Sequence, residues 1–411
     1  MQTRLQPALL ATDAGREADS ILRSCVHCGF CTATCPTFLL TGNELDSPRG
    51  RIYLLKEYLE SGKATRITRT HLDRCLVCQS CETTCPSNVQ YHRLIAIGQG
   101  MLAQDVAMPL STRIRRGFLL AILGSPGLFA VLARLGRLLA FLLPASLARQ
   151  LPEKPRFDDI TADSSESTRK VVLLQGCVQP SLSPDTVNAT AVVLREMDIR
   201  CVRIRHESCC GAMHYHSGHQ DIGLARARRL IDQLLAELDA GAEAIISTAS
   251  GCGNFIKDYG SLFAHDDPYR IKAERVVHAI RDIGEFLASE DLSALNATGS
   301  QTLAFHSPCT LQHGQQLGGV TEKLLKQLGF TLAPVSDSHL CCGSAGTYSL
   351  FQPAFAAELR RQKLQALEAG EADSIATANI GCQCHLAGGT SKQVRHWIEY
   401  VAEVLRVKQG S

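Results

Sequence analysis

Short apolar runs alternate with helical patterns along the second half of the chain. Apolar residues recur at helical spacing within Asp185–Met197, Gly223–Leu238 and Phe355–Glu368. The runs between such stretches have the length and composition of buried strands. These runs are Val171–Leu174, Cys201–Ile204, Ala244–Thr248, Thr302–Phe305, Thr331–Val335 and Ser374–Ala378. Alternation of strand and helix predicts parallel sheets joined by right-handed crossovers.

The first hundred residues carry helical patterns. Residues 1–24 predict one helix, a second pattern ends at about Gly62, and Val89–Ala103 predicts a third helix. The predicted fold class is therefore an α+β multidomain protein. It has a helical N-terminal domain followed by two α/β parallel-sheet domains.

Residues 109–150 predict amphipathic helices. Ser125 and Pro126 form a helix start, with serine as the N-cap and proline at the first helical position. Apolar residues then follow at helical spacing until Pro144, at Leu128, Val131, Leu132, Leu135, Leu138, Leu139 and Leu142. No uninterrupted apolar stretch approaches the roughly 20 residues that span a bilayer. Two interpretations stay open: an amphipathic hairpin on an anionic membrane surface, or a helical pair packed on the protein core or on a partner.

Five segments are predicted from these patterns. Residues 1–105 form the helical domain, and residues 106–151 form the amphipathic helical segment. Residues 152–169 have the proline and serine/threonine composition of a linker. Residues 170–295 and 296–411 form the two α/β domains.

One cysteine spacing occurs twice in the N-terminal domain. Both copies read Cys-x2-Cys-x2-Cys-x3-Cys-Pro, the spacing of ferredoxins with two [4Fe–4S] clusters, in which the fourth cysteine ligates the other cluster. The prediction is one cluster on Cys25, Cys28, Cys31 and Cys85, and another on Cys75, Cys78, Cys81 and Cys35. Structural zinc is the alternative, but its ligands usually come as two separated pairs. A disulfide framework is typical of small secreted chains.

Two arginines lie between the cysteine motifs. Arg49 and Arg51 belong to the string Ser-Pro-Arg-Gly-Arg. They offset the negative charge of a thiolate-ligated cluster, or they belong to an ordinary loop and helix start; both interpretations stay open.

The second half of the chain contains an internal cysteine repeat. Each copy has a lead cysteine, a Cys-Cys-Gly group 32 positions later and a Gly-Cys pair after that. The members are Cys177, Cys209, Cys210 and Cys252 in the first copy, and Cys309, Cys341, Cys342 and Cys382 in the second. Sites on parallel sheets gather beyond the carboxyl ends of the strands, so the cysteines of each copy are expected to meet and to hold a further cluster. The alternative is buried or reactive cysteines without a metal.

Several histidines accompany the repeat cysteines without the spacing of a metal site. His214, His216 and His219 are expected to line the loop after Cys210. His306, His313 and His385 are expected near the second site, with no spacing that singles out any one of them.

Composition and the first residues of the chain limit its possible partners and its expected location. The net charge of +2 on 411 residues gives no indication of a nucleic-acid partner. Eighteen cysteines clustered in short motifs indicate metal ligation in a reducing compartment. The first residues do not have the pattern of a signal peptide, so a cytoplasmic location is expected.

The chain resembles a family of respiratory iron–sulfur subunits, and most of all the iron–sulfur subunits of bacterial glycolate oxidase (glycolate dehydrogenase). The resemblance rests on the two motifs, the repeat and particular strings. These are Ser-Pro48-Arg-Gly-Arg-Ile-Tyr53, Gln175-Gly-Cys177-Val-Gln-Pro, Cys341-Cys-Gly-Ser-Ala-Gly-Thr-Tyr348 and Val394-Arg-His-Trp-Ile398. One departure concerns the related heterodisulfide reductases, whose repeats end in Cys-x-x-Cys. Here the first copy has Cys252 alone and the second has Cys382 and Cys384.

The resemblance implies an electron-transfer role within a larger complex. An FAD-containing subunit oxidises glycolate to glyoxylate, a second flavoprotein-like subunit accompanies it, and this chain passes electrons toward a quinone or another respiratory acceptor at the inner membrane. The sequence itself contains no G-x-G-x-x-G after a strand and no phosphate-binding P-loop. No flavin or nicotinamide is therefore expected on this chain. The alternatives are an electron-transfer subunit or a thiol or disulfide reductase subunit of a related glycerol-3-phosphate, lactate or heterodisulfide complex, and a zinc-stabilised scaffold.

Overall fold

The architecture is taken from a computed structural model that describes residues 1–139, 155–158, 167–295 and 299–409. Three sequence predictions lie outside these residues: the helix end at Pro144, most of the linker 152–169 and the domain start at residue 296. The fold class is confirmed. A helical N-terminal domain precedes two α/β units with parallel sheets.

Helices build the N-terminal domain. They are Pro7–Leu10, Asp13–Ser24, Pro36–Thr41, Pro48–Ser61, Arg66–Asp73, Ser80–Thr83 and Tyr91–Asp105, with short 3₁₀ turns at Phe30–Thr32 and Glu44–Asp46. The prediction of one helix over residues 1–24 was wrong, because the Thr12 side chain accepts a hydrogen bond from Gly15 N and starts a second helix. Leu22, Leu55 and Leu94 form a fully buried core between the long helices.

The helix Pro48–Ser61, between the two cysteine motifs, begins and ends at residues that the sequence indicates. The Ser47 side chain accepts a hydrogen bond from Gly50 N, and Pro48 occupies the first helical position. At the other end Gly62 adopts the left-handed conformation with φ 69°, which closes the last turn. This helix places Arg49 and Arg51 at its first turn, next to the cysteine loops.

Two further helices, Leu110–Leu123 and Pro126–Leu138, form what is called here the helix pair. The predicted start at Pro126 is confirmed, but the chain bends by 94° between the helices, so they do not form an antiparallel hairpin. Within the described residues no single helix is long and apolar enough to cross a bilayer; only the bent pair taken together meets that requirement. Many apolar side chains of the pair are exposed, namely Leu110, Ile114, Phe118, Leu128, Val131, Leu132, Leu135, Leu138 and Leu139.

Each α/β unit contains a four-stranded parallel sheet in the described residues. The first has β1 (Arg169–Leu174), β2 (Ile199–Val202), β3 (Ala244–Ser247) and β4 (Ile280–Asp282) in the order β2-β1-β3-β4. The second has β5 (Thr302–His306), β6 (Thr331–Leu332), β7 (Ser374–Thr377) and β8 (Val394–His396) in the order β6-β5-β7-β8. All pairs are parallel. The same order in both sheets shows that the cysteine repeat is a repeat of the fold.

Four details of the predicted strands were wrong. Strand β2 begins at Ile199 and ends at Val202 rather than covering Cys201–Ile204, and β6 has only two residues. The sequence runs did not reveal the edge strands β4 and β8, because each is three residues long and continues directly into a helix.

Helices cover both sheets. In the first unit they are Gln179–Leu182, Pro184–Glu196, Ala212–Tyr215, Gln220–Asp239, Ser250–Lys257, Tyr259–Leu262, Tyr269–Ala279 and Ile283–Ala288. In the second they are Val320–Gln327, Tyr348–Phe351, Pro353–Glu368, Ile380–Ala387 and Trp397–Gln409. A 3₁₀ turn lies at Leu292–Leu295 and a π-turn at Thr310–Gly314.

The two α/β units share one hydrophobic core. Helix Pro184–Glu196 of the first packs against helix Trp397–Gln409 of the second, where Trp397 is fully buried. Glu399 is buried in this contact and accepts a hydrogen bond of 2.8 Å from the Thr186 hydroxyl. Phe157, from the predicted linker, is buried in the same core. The units therefore form one packed body, with both sets of strand ends available to a common site.

Candidate metal centres

The two cysteine motifs line two separate cavities. Cys25, Cys28 and Cys31 of the first motif meet Cys85 of the second, and Cys81 also reaches this cavity. Cys75, Cys78 and Cys81 meet Cys35 at the other cavity. Each cavity thus takes its fourth cysteine from the opposite motif, which is the arrangement that the ferredoxin spacing predicts.

The backbone explains how three cysteines of one motif reach a common point. The positions two and four residues after the first cysteine have positive φ in both motifs: His27 and Gly29 in the first, Val77 and Gln79 in the second. A left-handed residue reverses the chain locally, so the thiols turn toward one side. Proline then starts a short helix after Cys35 and directs that cysteine away from its own loop.

Burial makes four of the motif thiols poor acids. Desolvation raises the pKa of Cys31 to about 11 and raises the pKa of Cys25, Cys78 and Cys81. Thiols of this kind are inert as nucleophiles, whereas a bound metal compensates the cost of the buried thiolates. Four converging soft donors therefore fit a metal centre, and thiolates are the ligands of iron–sulfur clusters.

One arginine of the Ser-Pro-Arg-Gly-Arg string lies at each cavity. Arg51 is 1% exposed; its Nη1 lies 4.0 Å from Cys35 Sγ, and its Nε donates to His71 O at 2.8 Å. Arg49 lines the first cavity beside Gly29 and pairs with Glu44 at 2.6 Å, with its side chain 35% exposed. The structure thus favours the charge-offsetting interpretation, with a buried cation at one site and a partly solvated one at the other.

The cysteines of the first repeat converge at the carboxyl ends of β1, β2 and β3. The thiol of Cys209 takes part in hydrogen bonds with Cys177 and Cys210, and Cys210 in turn with Cys252. These bonds lower the pKa of Cys209, because neighbouring thiols donate to its thiolate. The Glu207 carboxylate holds the lead loop in place by accepting from Gly176 N at 2.7 Å.

The second repeat has the same arrangement at the ends of β5, β6 and β7. Cys309 Sγ lies 3.8 Å from Cys341 Sγ, and Cys342 and Cys382 continue the series. Gly343 N donates to Cys341 Sγ at 3.4 Å, and Asn379 Nδ2 to Cys382 Sγ at 3.5 Å. The expected convergence of the repeat cysteines is confirmed for both copies.

The sites form a connected series. Cys78 of the second motif packs with Cys309 and Cys341 of the second repeat in one apolar cluster. The Thr83 hydroxyl and His313 Nδ1, 2.9 Å apart, join the same two regions. A cavity of about 650 Å³ is lined by Cys75 and by all eight repeat cysteines. Within the described residues, each cysteine site therefore lies next to another one, from the first motif to the first repeat.

Of two polar residues at the repeat sites, the sequence predicted His306 near the second site without singling it out, and it did not indicate Asn379. His306 lies with Cys342 and Cys382 so that their possible ligand atoms are within 4.8 Å of one another. Asn379 joins the repeats, because its Oδ1 accepts from Gly251 N at 3.2 Å. The equivalent positions of the first copy hold Leu174 and Ala249, so the difference between the copies was the available signal.

The other histidines are distributed around the same cavity. His216 and His385 line it, while His214 is buried in the short helix after Gly211. His313 Nε2 donates to His339 O at 2.9 Å, and its Nδ1 lies 2.9 Å from the Thr83 hydroxyl. Cys384 lines the cavity as well, and burial raises the pKa of its thiol to about 12.

Comparison with known proteins agrees with this architecture. Residues 21–89 match the 4Fe-4S dicluster domain family, and residues 171–257 and 303–387 match the cysteine-rich domain family. The fold and sites thus define an iron–sulfur protein in which a dicluster domain precedes a duplicated cysteine-rich domain.

The full-length relatives narrow the class. The chain is 50% identical to the glycolate oxidase iron-sulfur subunit of Escherichia coli over 98% of this chain and 99% of that protein. It is 27% identical to a probable glycolate oxidase iron-sulfur subunit of Bacillus subtilis over 90% of each chain. Lactate utilization protein A of an Exiguobacterium species is 26% identical over 58% of this chain and 99% of that protein. The chain belongs to the family of glycolate oxidase iron–sulfur subunits, and the predicted resemblance is confirmed.

Proposed function

We propose that this chain relays electrons within a glycolate-oxidising complex. An FAD-containing partner subunit oxidises glycolate to glyoxylate, and the chain carries the electrons toward a membrane quinone or another respiratory acceptor. The observation that carries the proposal is the series of cysteine sites, which begins at the exposed first motif and ends in the interior cavity. Family membership supports the substrate assignment.

Two [4Fe–4S] clusters occupy the N-terminal cavities in this proposal. One is held by Cys25, Cys28, Cys31 and Cys85, and the other by Cys75, Cys78, Cys81 and Cys35. When bound, such clusters accept and release single electrons. The protein contributes the thiolates, the buried cation Arg51 and a hydrogen bond from the Tyr91 hydroxyl, 3.7 Å from Cys75 Sγ.

Electrons enter at the first motif. Cys28 is exposed, and its neighbours Val26 and Phe30 are 67% and 63% exposed. Exposed apolar side chains next to a cluster ligand form a suitable docking surface for a flavoprotein, since interface cores are apolar. The proposed occupant of this surface is the FAD-containing subunit, and a second flavoprotein-like subunit completes the complex.

The repeats hold further iron–sulfur centres in this proposal. Anaerobically purified protein is expected to contain about twelve or more irons, because two cubanes alone account for about eight. Iron and acid-labile sulfide analysis measures this directly. A count of about eight leaves the repeats without clusters, and zinc without iron contradicts the relay.

Serine substitution tests whether the repeats lie on the electron path. Cys209→Ser and Cys341→Ser are each expected to abolish glycolate-dependent turnover of the complex, because each removes a central thiolate of its repeat. The control is Cys201→Ser, a buried cysteine outside both sets. Unchanged turnover in both repeat variants removes the repeats from the path.

The whole assignment is tested by co-purifying the chain with its partners. The complex is expected to couple glycolate oxidation to dye reduction and then to quinone reduction. A complex that oxidises glycolate equally well without this chain contradicts the relay. Glycolate-dependent reduction of an added disulfide, without reduction of quinone, favours the thiol or disulfide reductase alternative.

We also propose that the protein is cytoplasmic and lies against the inner membrane through the helix pair. From Val106 to Leu139 the sequence has five arginines and no aspartate or glutamate. Arg113, Arg134 and Arg137 are exposed, beside the exposed apolar side chains described above. A basic amphipathic surface of this kind binds anionic lipid through buried apolar area and electrostatic attraction.

A vesicle assay measures the membrane contact. Replacing Ile114, Phe118 and Val131 together by glutamine is expected to weaken binding to vesicles with anionic lipid at least about tenfold, since three exposed apolar side chains no longer enter the interface. Added salt is expected to weaken wild-type binding. The matched control replaces Ile67, Ile222 and Ile271, exposed isoleucines outside the helix pair. Equal binding by both triple variants contradicts the proposal.

A further inference from the structure

The cavity beside the repeat cysteines has a size and lining suited to a small organic molecule. Its volume of about 650 Å³, which includes the space that clusters on the repeat cysteines would fill, lies within the range of ligand sites. Apolar side chains form much of its wall, among them Leu102, Leu123, Phe129, Met213 and Phe255. Such a lining favours an apolar body with few polar groups.

Polar atoms without a protein partner occur on the same wall. Among the described residues, Arg69 Nε, Gln99 Oε1, Arg116 Nε and Tyr348 Oη are buried and have no hydrogen-bond partner. Arg69 is 9% and Tyr348 7% exposed. Buried polar groups are nearly always satisfied, so several orphans on one cavity indicate a missing polar ligand.

The helix pair forms one wall of the cavity, and the outer face of the same helices is the proposed membrane-binding surface. Arg116, Leu123 and Phe129 of the pair line the cavity, while neighbouring side chains of the same helices are exposed on the outside. The pair is held to both repeats. Arg226 donates to Gly124 O, and the Arg116 guanidinium lies 4.7 Å from the ring centre of Phe351. A molecule dissolved in the bilayer therefore meets the helix pair before it meets the cysteines.

We propose that this cavity is the binding site of a quinone that enters from the membrane beside the helix pair. The proposal rests on the relay function proposed above and adds the place where the relay ends. The apolar walls hold the ring and the start of the tail, and Tyr348 and Arg69 donate hydrogen bonds to the carbonyl oxygens. One quinone takes up two electrons, which one glycolate supplies, and two protons from water, and leaves as the quinol.

The electron donors border the same space. Cys75 of the second motif and cysteines of both repeats line the cavity. The quinone position is thus adjacent to a ligand of the second N-terminal site whether or not the repeats carry metal. In this proposal clusters on the repeats occupy the part of the cavity beside their cysteines, and the quinone occupies the part beside the helix pair, Arg69 and Tyr348.

A photoreactive quinone tests binding without turnover. The assembled complex is illuminated with an azide-bearing decylubiquinone, and labelled peptides are identified by mass spectrometry. We expect labels within residues 99–103, 116–129 and 212–218, competed by unlabelled decylubiquinone. Labelling confined to other surfaces overturns the assignment.

Two variants test the site by kinetics. Tyr348→Phe removes only the orphan hydroxyl and is expected to raise the KM for decylubiquinone about fivefold, the loss of one hydrogen bond. Met213→Trp fills the cavity and is expected to reduce quinone reduction at least tenfold. Glycolate-dependent dye reduction stays at the wild-type rate in both. The matched control for the hydroxyl is Tyr53→Phe, at a side chain that is 51% exposed.

The outcomes separate this inference from the relay itself. Wild-type quinone kinetics in Tyr348→Phe overturn the site, and this variant decides the matter if Met213→Trp does not fold. A shifted cluster potential with an unchanged KM assigns the hydroxyl to a cluster and likewise overturns it. A complex that reduces dye but neither binds nor reduces quinone leaves the relay standing without this site. Clusters that stay oxidised with glycolate and the FAD subunit contradict the relay.

Discussion

Replacing Cys85 by alanine is expected to remove the cluster of the first motif, although Cys85 belongs to the second. The cavity geometry gives the reason, since Cys85 lines the same space as Cys25, Cys28 and Cys31. The same argument predicts that Cys35→Ala removes the cluster of the second motif. Each variant is expected to lose about four irons and one electron paramagnetic resonance signal.

Pairs of variants identify which signal is lost. Cys85→Ala and Cys28→Ala are expected to lose the same signal, and Cys35→Ala and Cys78→Ala the other one. If Cys85→Ala instead matches Cys78→Ala, the ligation is not crossed. Cys201→Ala is the control, because Cys201 lies on strand β2, is buried in the shared core and belongs to no predicted set of cluster ligands.

Removing the charge of Arg51 is expected to change both potential and stability. Reduction adds negative charge to a cluster, and a desolvated cation 4.0 Å from Cys35 Sγ favours that state. Arg51→Met is therefore expected to lower the reduction equilibrium constant of the second cluster roughly tenfold, equivalent to about 59 mV for one electron. It also removes one cation from the fully buried Asp46, which keeps Arg74 as a partner, so the free energy of unfolding is expected to fall by less than the roughly 3–5 kcal/mol that a buried charge left unpaired costs.

Redox titration and denaturant unfolding measure the two effects separately. Arg51→Lys keeps the charge, so its potential is expected to lie nearer to wild type. Arg49→Met is expected to shift the first cluster less, because Arg49 is partly solvated and already paired with Glu44. Equal shifts at both clusters, or none in Arg51→Met, rule out a specific role for the buried charge.

The sequence predicts those parts of the sites in which the spacing of neighbouring residues determines how the backbone folds. Three thiols of one motif must surround one centre, so their spacing indicates the loop. The helix start at Pro126 follows from the proline at the first helical position, although the Ser125 side chain makes no capping hydrogen bond, and the helix end at Gly62 follows from the glycine. Parallel sheets follow from the alternation of apolar runs and helices, and with them the meeting of cysteines at strand ends.

The parts that the sequence does not predict depend on which surfaces pack together. Cys78 and Cys309 are far apart in the chain, and no local pattern shows that they share an apolar cluster. The cavity and its orphan polar atoms arise from three regions of the fold at once. The edge strands β4 and β8 were missed because pairing with β3 and β7, rather than their own length, makes them strands.

The shared core of the two repeats makes the second half of the chain equivalent to a homodimer fused into one polypeptide. In a symmetric dimer each substitution appears twice, so both sites are identical and an electron has no preferred side. Fusion has allowed the copies to diverge: Leu174 of the first copy corresponds to His306 of the second, Ala249 to Asn379, and Glu207 to His339. Two centres with different surroundings have different affinities for an electron. The broken symmetry can therefore give the electron flow its direction.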